Sequence, residues 1–362
     1  MEFFGFLPPA SAPAAANNEV QLAGPFPDSI GVASPSTHAA SPSSAADLAV
    51  PVFAPDEKMI LEEPVQLKDF TAVHERALAY MRWRRDRAIA EEPHIAPSAE
   101  AARDDRLWRF LIAKQFDALA AGNMYVDMLR WRHRSGMDAI RSALLAANPL
   151  FFEDGSDTLQ AIYLSEDDRR MLEEVYPRTW CKTASSGGDA DHEPLYDRHG
   201  NLVYIEAPAY VAWPDVAAAG SEAYSIAALR GIELLQLVLD ELTKRTGRLV
   251  LTSRVIDLLD YRVVNPFKGS KEKEGERIAK EVGRPFSECY PTTTYKNFLI
   301  NAPAANIIKP LVTMFVPARS AKKTVILGSK FAEELHRECD PSNLPAKLGG
   351  KLPDGLQWTK GK

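Results

Sequence analysis

The chain has 362 residues, of which 46% are hydrophobic and 25% charged, enough to bury a sizeable core in one large or two small domains. A net charge of −6 argues against general nucleic-acid binding, which draws on an excess of Lys and Arg. The three cysteines, Cys181, Cys289 and Cys339, are widely spaced and form no CxxC, so neither a zinc site nor a disulfide framework is signalled and a reducing, cytoplasmic setting is expected.

Residues 1–55 are rich in Ala, Ser and Pro, with too little periodic apolar content to offset ordering entropy, and read as a disordered tail. Its start, MEFFGFLPPA, lacks the basic opening of a signal peptide, and residues 1–50 hold no Lys or Arg, against a transit peptide. No stretch reaches the ~18 apolar residues of a membrane span.

Residues 56–148 read as helical. Phe70, Val73, Ala77, Tyr80 and Met81 recur at three- and four-residue spacing. Asp104 or Asp105 is placed to cap a helix carrying Leu107, Phe110, Leu111 and Lys114, and Asp117 to cap the next, which ends at Gly136. The clusters RWRRDR (82–87) and RWRHR (130–134) suggest either stacking on single-stranded nucleic acid or, the reading favoured here, Trp83 and Trp131 packed inward with the arginines in water.

Over 149–355 the texture changes to strands alternating with helices, the pattern of a mostly parallel sheet. NLVYIEAP and RLVLTSRVIDLLDY read as buried strands with a long helix between them that stops at Gly247. KNFLI (296–300), TVIL (324–327) and a helix near 329–338 follow. The polar loop after Cys181 reads as a surface insertion. DADHE within it has metal-like composition but the glycine-rich context of a solvated loop, so no metal site is expected. There is no GxGxxG after a strand, no GxxxxGK[ST] and no GxSxG elbow, and Asp257 at a strand end has no nucleophile or base beside it, so no catalytic residue is assigned and an enzyme is disfavoured.

The stretch DDRLWRFLIAKQFDALAAGNMYVDMLRWRHRSG, followed in order by YKNFLINAP, KP, VILGS and LPAKLGG, resembles the CRAL-TRIO family of lipid-transfer proteins over roughly residues 60–352. The resemblance implies an α/β lobe with a lipid pocket, a mixed, mostly parallel sheet and flanking helices, preceded by an all-α subdomain. It implies lipid exchange rather than bond chemistry. The ligand would be a phospholipid, with phosphatidylinositol the candidate, and no other cofactor. The partners would be a transient membrane surface and no nucleic acid, and the protein a monomer, cytoplasmic and peripherally bound. Two alternatives stand beside it: a scaffold of the same fold that binds small GTPases or their regulators, and a carrier of a neutral isoprenoid.

The resemblance also gives roles to residues. Ile307, Ile308, Leu311, Val312 and Phe315 form an apolar stripe, interrupted by Pro310 and ended by Pro317, that suits a gate helix, and Lys309 and Arg319 beside it would face a membrane. Lys114, Ser320 and Lys323, with Lys322 adjacent, match a phosphate-binding set. Thr292 stands where the phosphatidylinositol branch has an acid and is able to bond an inositol hydroxyl. Thr252 and Arg254 match positions that contact phosphatidylcholine, and an arginine suits an anionic group better than choline.

Overall fold

The computed structural model describes residues 65–67, 70, 72–147, 175, 178–179, 194–261, 269–302 and 321–353. The tail, DADHE, Cys181, Ser320 and the gate stretch with Ile307, Ile308, Lys309, Leu311, Val312, Phe315 and Arg319 lie outside the described residues.

The N-terminal part is helical: α1 (Ala72–Glu91), α2 (Asp104–Ala113), α3 (Ala118–Arg134) and α4 (Met137–Ala147). In α3 the Asp117 carboxylate accepts from the Ala120 amide at 2.9 Å, and Arg132, His133 and Arg134 fill the last turn, where cations suit the helix dipole. Asp104 and Asp105 do not cap α2. The helix begins at Asp104 after an extended Arg103, so both acids sit in the first turn, against the positive end of the dipole. After Lys114 the chain turns through Gln115 and Phe116, both left-handed at φ +52° and +63°. That conformation costs about 1–2 kcal/mol per non-glycine residue. It drives Phe116 fully inside, against His74 at 4.5 Å and the edge of a Phe70–Trp108 stack. Burying a Phe side chain contributes roughly 1.5–3 kcal/mol, which offsets most of that strain.

The sheet has five strands in the order β1 (Arg178–Thr179), β2 (Leu202–Glu206), β3 (Thr252–Asp257), β4 (Thr294–Ile300) and β5 (Thr324–Ile326). β1 pairs antiparallel with β2, and every other pairing is parallel. The crossover from β2 to β3 is the long α5 (Trp213–Thr246), broken at Gly220 (φ 81°, ψ 171°) and closed by Gly247 in the left-handed conformation. Between β3 and β4 run α6 (Ser270–Gly283) and the short α7 (Phe286–Cys289), and α8 (Ala332–Glu338) follows β5. α6 packs closely on α5: a Cβ built on Gly275 would stand 2.1 Å from the Trp213 carbonyl oxygen.

One face of the sheet, Val203, Ile205, Val255, Phe298 and Ile300, packs on Phe331, Leu335, Cys339, Leu344 and Leu348. The largest core joins α1–α3 to Trp213, Val216, Tyr224, Ile278, Phe286 and Tyr290, so the helical part and the α/β lobe share one interior.

Candidate functional site

Site geometry builds up from the turn before β4. Thr292 is left-handed (φ 54°) and locked to α2 at both polar atoms. Its hydroxyl donates to the Arg109 carbonyl at 2.8 Å, and Arg109 Nη1 donates to the Thr292 carbonyl at 2.9 Å. The next carbonyl, of Thr293, accepts from both the amide (2.7 Å) and the hydroxyl (2.9 Å) of Thr252 at the head of β3. The third, of Thr294, accepts from Lys323 Nζ at 2.7 Å. Three expected head-group positions, Thr252, Thr292 and Lys323, thus converge on one tripeptide at the N-terminal edge of the sheet.

Lys114 caps the C-terminal end of α2, five positions beyond Arg109, and is exposed, as is Lys322. Arg254 is not at this edge. It lies deeper on β3, with Nη2 donating to Glu206 at 2.7 Å, both side chains buried. The Thr252 and Thr292 hydroxyls donate their protons to main-chain carbonyls within the protein, so each oxygen remains only as an acceptor.

Asp257 has the structural role its place at a strand end suggests: Oδ1 accepts from the Leu259 amide at 2.9 Å and from Asn301 Nδ2 at 2.8 Å. Among the described residues there is no group of His, Cys, Asp and Glu able to hold a metal ion, and no helix long and apolar enough to cross a membrane. In RWRRDR, Arg82 pairs with Asp104, Arg85 with Asp86 at 2.7 Å and Arg87 with Glu91 at 2.7 Å, so these charges are internally answered. Trp131 packs edge-on to Tyr290 at 5.9 Å. The expectation that the neighbouring arginines stay in water fails at Arg132, which is buried.

Arg132 belongs to an ionic seam that the sequence did not reveal. Glu233 of α5 accepts from Arg132 Nη1 (2.9 Å) and Nη2 (3.0 Å), from Arg141 Nη1 (2.9 Å) and from the Tyr290 hydroxyl (2.6 Å). Two helical turns on, Asp240 accepts from Arg106 at 2.7 Å and Gln236 at 2.6 Å. Burial alone would raise the Glu233 pKa, but the guanidinium groups of Arg132 and Arg141 outweigh it and hold the carboxyl far below its ordinary value. Burial, then Glu233, push the Tyr290 hydroxyl well up. Burial is the largest influence on Arg132 and opposes its charge, yet Glu233 leaves its pKa raised. The seam fixes α2, α3 and α4 to α5, and Arg109, whose Nε lies 3.6 Å from Asp240, links it to the Thr292 turn.

With this geometry in place, comparison with known proteins becomes informative. The model of the CRAL/TRIO domain matches residues 235–350. A SEC14 cytosolic factor of Eremothecium gossypii is 26% identical over 261 residues, covering 68% of this chain and 69% of that protein. A phosphatidylinositol/phosphatidylcholine transfer protein of Arabidopsis thaliana, SFH11, is 32% identical over 79 residues, 22% of this chain and 21% of its own. Among solved structures, the crystal structure of Sfh5 aligns at 16% identity and a TM-score of 0.43, covering 79% of this chain and 93% of that one. The domain match spans Asp240 of the seam, β3, the Thr292 turn, Lys323 and α8, and the mixed sheet with its N-terminal helices has the architecture the match implies. Residues 235–350 thus match the CRAL/TRIO domain, and over about two thirds of its length the chain is similar to a SEC14 cytosolic factor.

Proposed function

We propose that the protein encloses a phospholipid, with phosphatidylinositol the leading candidate, and exchanges it at membrane surfaces without bond chemistry. The observation that carries this reading is the convergence of Thr252, Thr292 and Lys323 on one turn, with Lys322 beside Lys323 and Lys114 on the helix that clamps Thr292. It offers cations for a phosphate and hydroxyl acceptors for a polyol in one neighbourhood. Two relatives are named SEC14 cytosolic factor and phosphatidylinositol/phosphatidylcholine transfer protein, which supports lipid transfer as the activity.

Enclosure follows from magnitude. Each methylene moved into water costs about 0.8 kcal/mol, so a diacyl lipid with on the order of thirty would cost roughly 25 kcal/mol if its chains were bare. Such a ligand travels only inside a closed chamber that opens at a bilayer. Residues 307–315, with Lys309 among them and Arg319 just beyond, are proposed as the gate, with Ser320 completing the head-group set.

The test is extraction and lipid mass spectrometry of the purified protein, followed by transfer of labelled phosphatidylinositol between vesicles. Wild type is expected to carry phospholipid, and Lys114→Ala/Lys323→Ala together to lower phosphatidylinositol loading several-fold. A neutral isoprenoid as bound ligand, with loading unchanged in the double variant, refutes the phospholipid reading. Recovery of no lipid together with no transfer refutes lipid carriage itself.

A further inference from the structure

Helix α5 is two helices in one. At Gly220 the backbone leaves the helical region for φ 81°, ψ 171°, a conformation essentially closed to residues that carry a Cβ. A Cβ built there meets nothing within 4 Å. Across 217–223 no residue is buried. The joint is therefore unpacked, and a change in its dihedrals requires no core residue of the joint to repack. Hinges are of this kind: a few positions that absorb a backbone rotation between well-packed bodies.

The two arms are anchored to different partners. The longer arm, after Gly220, carries Tyr224, Ala227 and Ala228 into the interior, then Glu233 and Asp240, whose bonds to Arg132, Arg141 and Arg106 tie it to α3, α4 and α2. The shorter arm, residues 213–219, holds neither acid. Its first carbonyl is instead pressed on α6. A Cβ on Gly275 would stand 2.1 Å from the Trp213 oxygen and 3.2 Å from its Cα, so only glycine admits the approach, and the arm and α6 behave as one body. α6 itself is lightly held. Its buried residues are Gly275 and Ile278, with Ala279 and Val282 partly covered, and Arg277 pairs with Glu274 and Glu281 of the same helix. Beyond α6 the chain is fixed again, where Phe286 meets Trp131 edge-on at 6.4 Å and the Tyr290 hydroxyl donates to Glu233. Few buried apolar contacts between two firm ends mark the segments of a fold that open first.

We infer that residues 213–219 and α6 form a flap that swings about Gly220 while the longer arm of α5 stays fixed by the ionic seam. Opening uncovers Val216 and Ile278, and with them the apolar interior that the helical part shares with the α/β lobe, without breaking an ion pair of the seam. The flap is a property of the fold and holds whatever ligand the protein carries.

The experiment is amide hydrogen exchange on the full chain at neutral pH, read by mass spectrometry on peptides from 213–219, 225–243 and 270–283. In wild type the first and last are expected to share one opening rate, about tenfold above that of 225–243 after correction for intrinsic exchange. Gly220→Ala adds a methyl that touches nothing and acts through the backbone alone. It is expected to speed exchange of 213–219 and 270–283 together, by about tenfold, and to leave 225–243 within about twofold of wild type. Wild-type 213–219 as protected as 225–243, or opening at a rate of its own apart from 270–283, overturns the flap. A Gly220→Ala chain that exchanges faster everywhere alike, or in neither segment, overturns it equally. Should that variant not fold, the wild-type comparison decides by itself.

Discussion

Glu233→Ala tests whether the ionic seam holds the helical part to the α/β lobe. The carboxylate accepts four hydrogen bonds, three of them from guanidinium groups. Removing it strands Arg132 and Arg141 in the interior, each with a single remaining acid, Asp138 at 2.6 Å and Glu100 at 3.2 Å, both 36% exposed. Breaking a buried ion pair from one side costs about 3–5 kcal/mol. At ~2–4 °C per kcal/mol for domains of 150–250 residues, Tm should fall by about 10 °C. Arg337→Ala is the control. Its two ion pairs, to Glu333 and Glu334, lie in solvent, where such pairs are worth about 0.2–1 kcal/mol. Acid sharpens the test. In the unfolded chain Glu233 takes up its proton near its ordinary value of 4.5, whereas in the folded protein it stays ionised well below that. Its contribution is therefore complete above about pH 5 and is lost as pH falls through 4.5 toward the depressed value. Thermal melts from pH 7 to pH 3 should show a steeper loss for wild type than for Glu233→Gln. Equal Tm shifts for Glu233→Ala and Arg337→Ala, or identical acid profiles for wild type and Glu233→Gln, would refute the reasoning.

Other consequences are open to direct measurement. Gly→Ala inside a helix ordinarily stabilises by about 1 kcal/mol. Gly275→Ala should instead lower Tm, because the new methyl meets the Trp213 backbone at 2.1 Å and overpacking of this kind costs about 1–3 kcal/mol. Asp117→Ala removes the cap of α3 and should cost about 1 kcal/mol in chemical denaturation, with Asp117→Asn largely restoring it. Burial pushes the Cys289 thiol up to about 12 and raises that of Cys339 as well. In a Cys181→Ser background, native protein at pH 8 should leave a thiol reagent unconsumed, and urea should release two equivalents; rapid native reaction would contradict the burial of both.

How far the sequence speaks depends on the range of the interaction. Strands β2 and β3 lie within the apolar runs NLVYIEAP and RLVLTSRVIDLLDY, and KNFLI makes up the last five residues of β4, because a strand buried in a parallel sheet needs little beyond its own composition to be seen. The caps at Asp117 and Gly247 were equally local and equally legible. The break at Gly220 was not, since an isolated glycine in a helical pattern is ordinarily tolerated. The convergence of Thr252, Thr292 and Lys323 could be expected only from the family's ordered motifs; no periodicity relates a strand head, a turn and a residue before β5.

The seam marks the limit more sharply. Periodicity sorts residues by face and assumes that a charge seeks water, so Arg132 in RWRHR reads as solvated. Its partner Glu233 stands 101 positions away, and the partner of Arg106 stands 134 away. A signal was nonetheless present on the other side of the interface. Glu233 and Asp240 are seven residues apart on an otherwise oily helix, so they share one face with Gln236 between them. Two acids on the apolar stripe of a crossover helix have no low-energy burial unless cations come to meet them. Arg106 and Arg109, three apart on a helix whose other residues are largely apolar, are the matching half. Arg254 follows the same logic in the sheet: inside an apolar strand its charge requires a carboxylate, and Glu206 at the end of the neighbouring strand supplies it. Charges placed on a face that the apolar pattern marks as interior are thus statements about a distant partner, legible in kind though not in address.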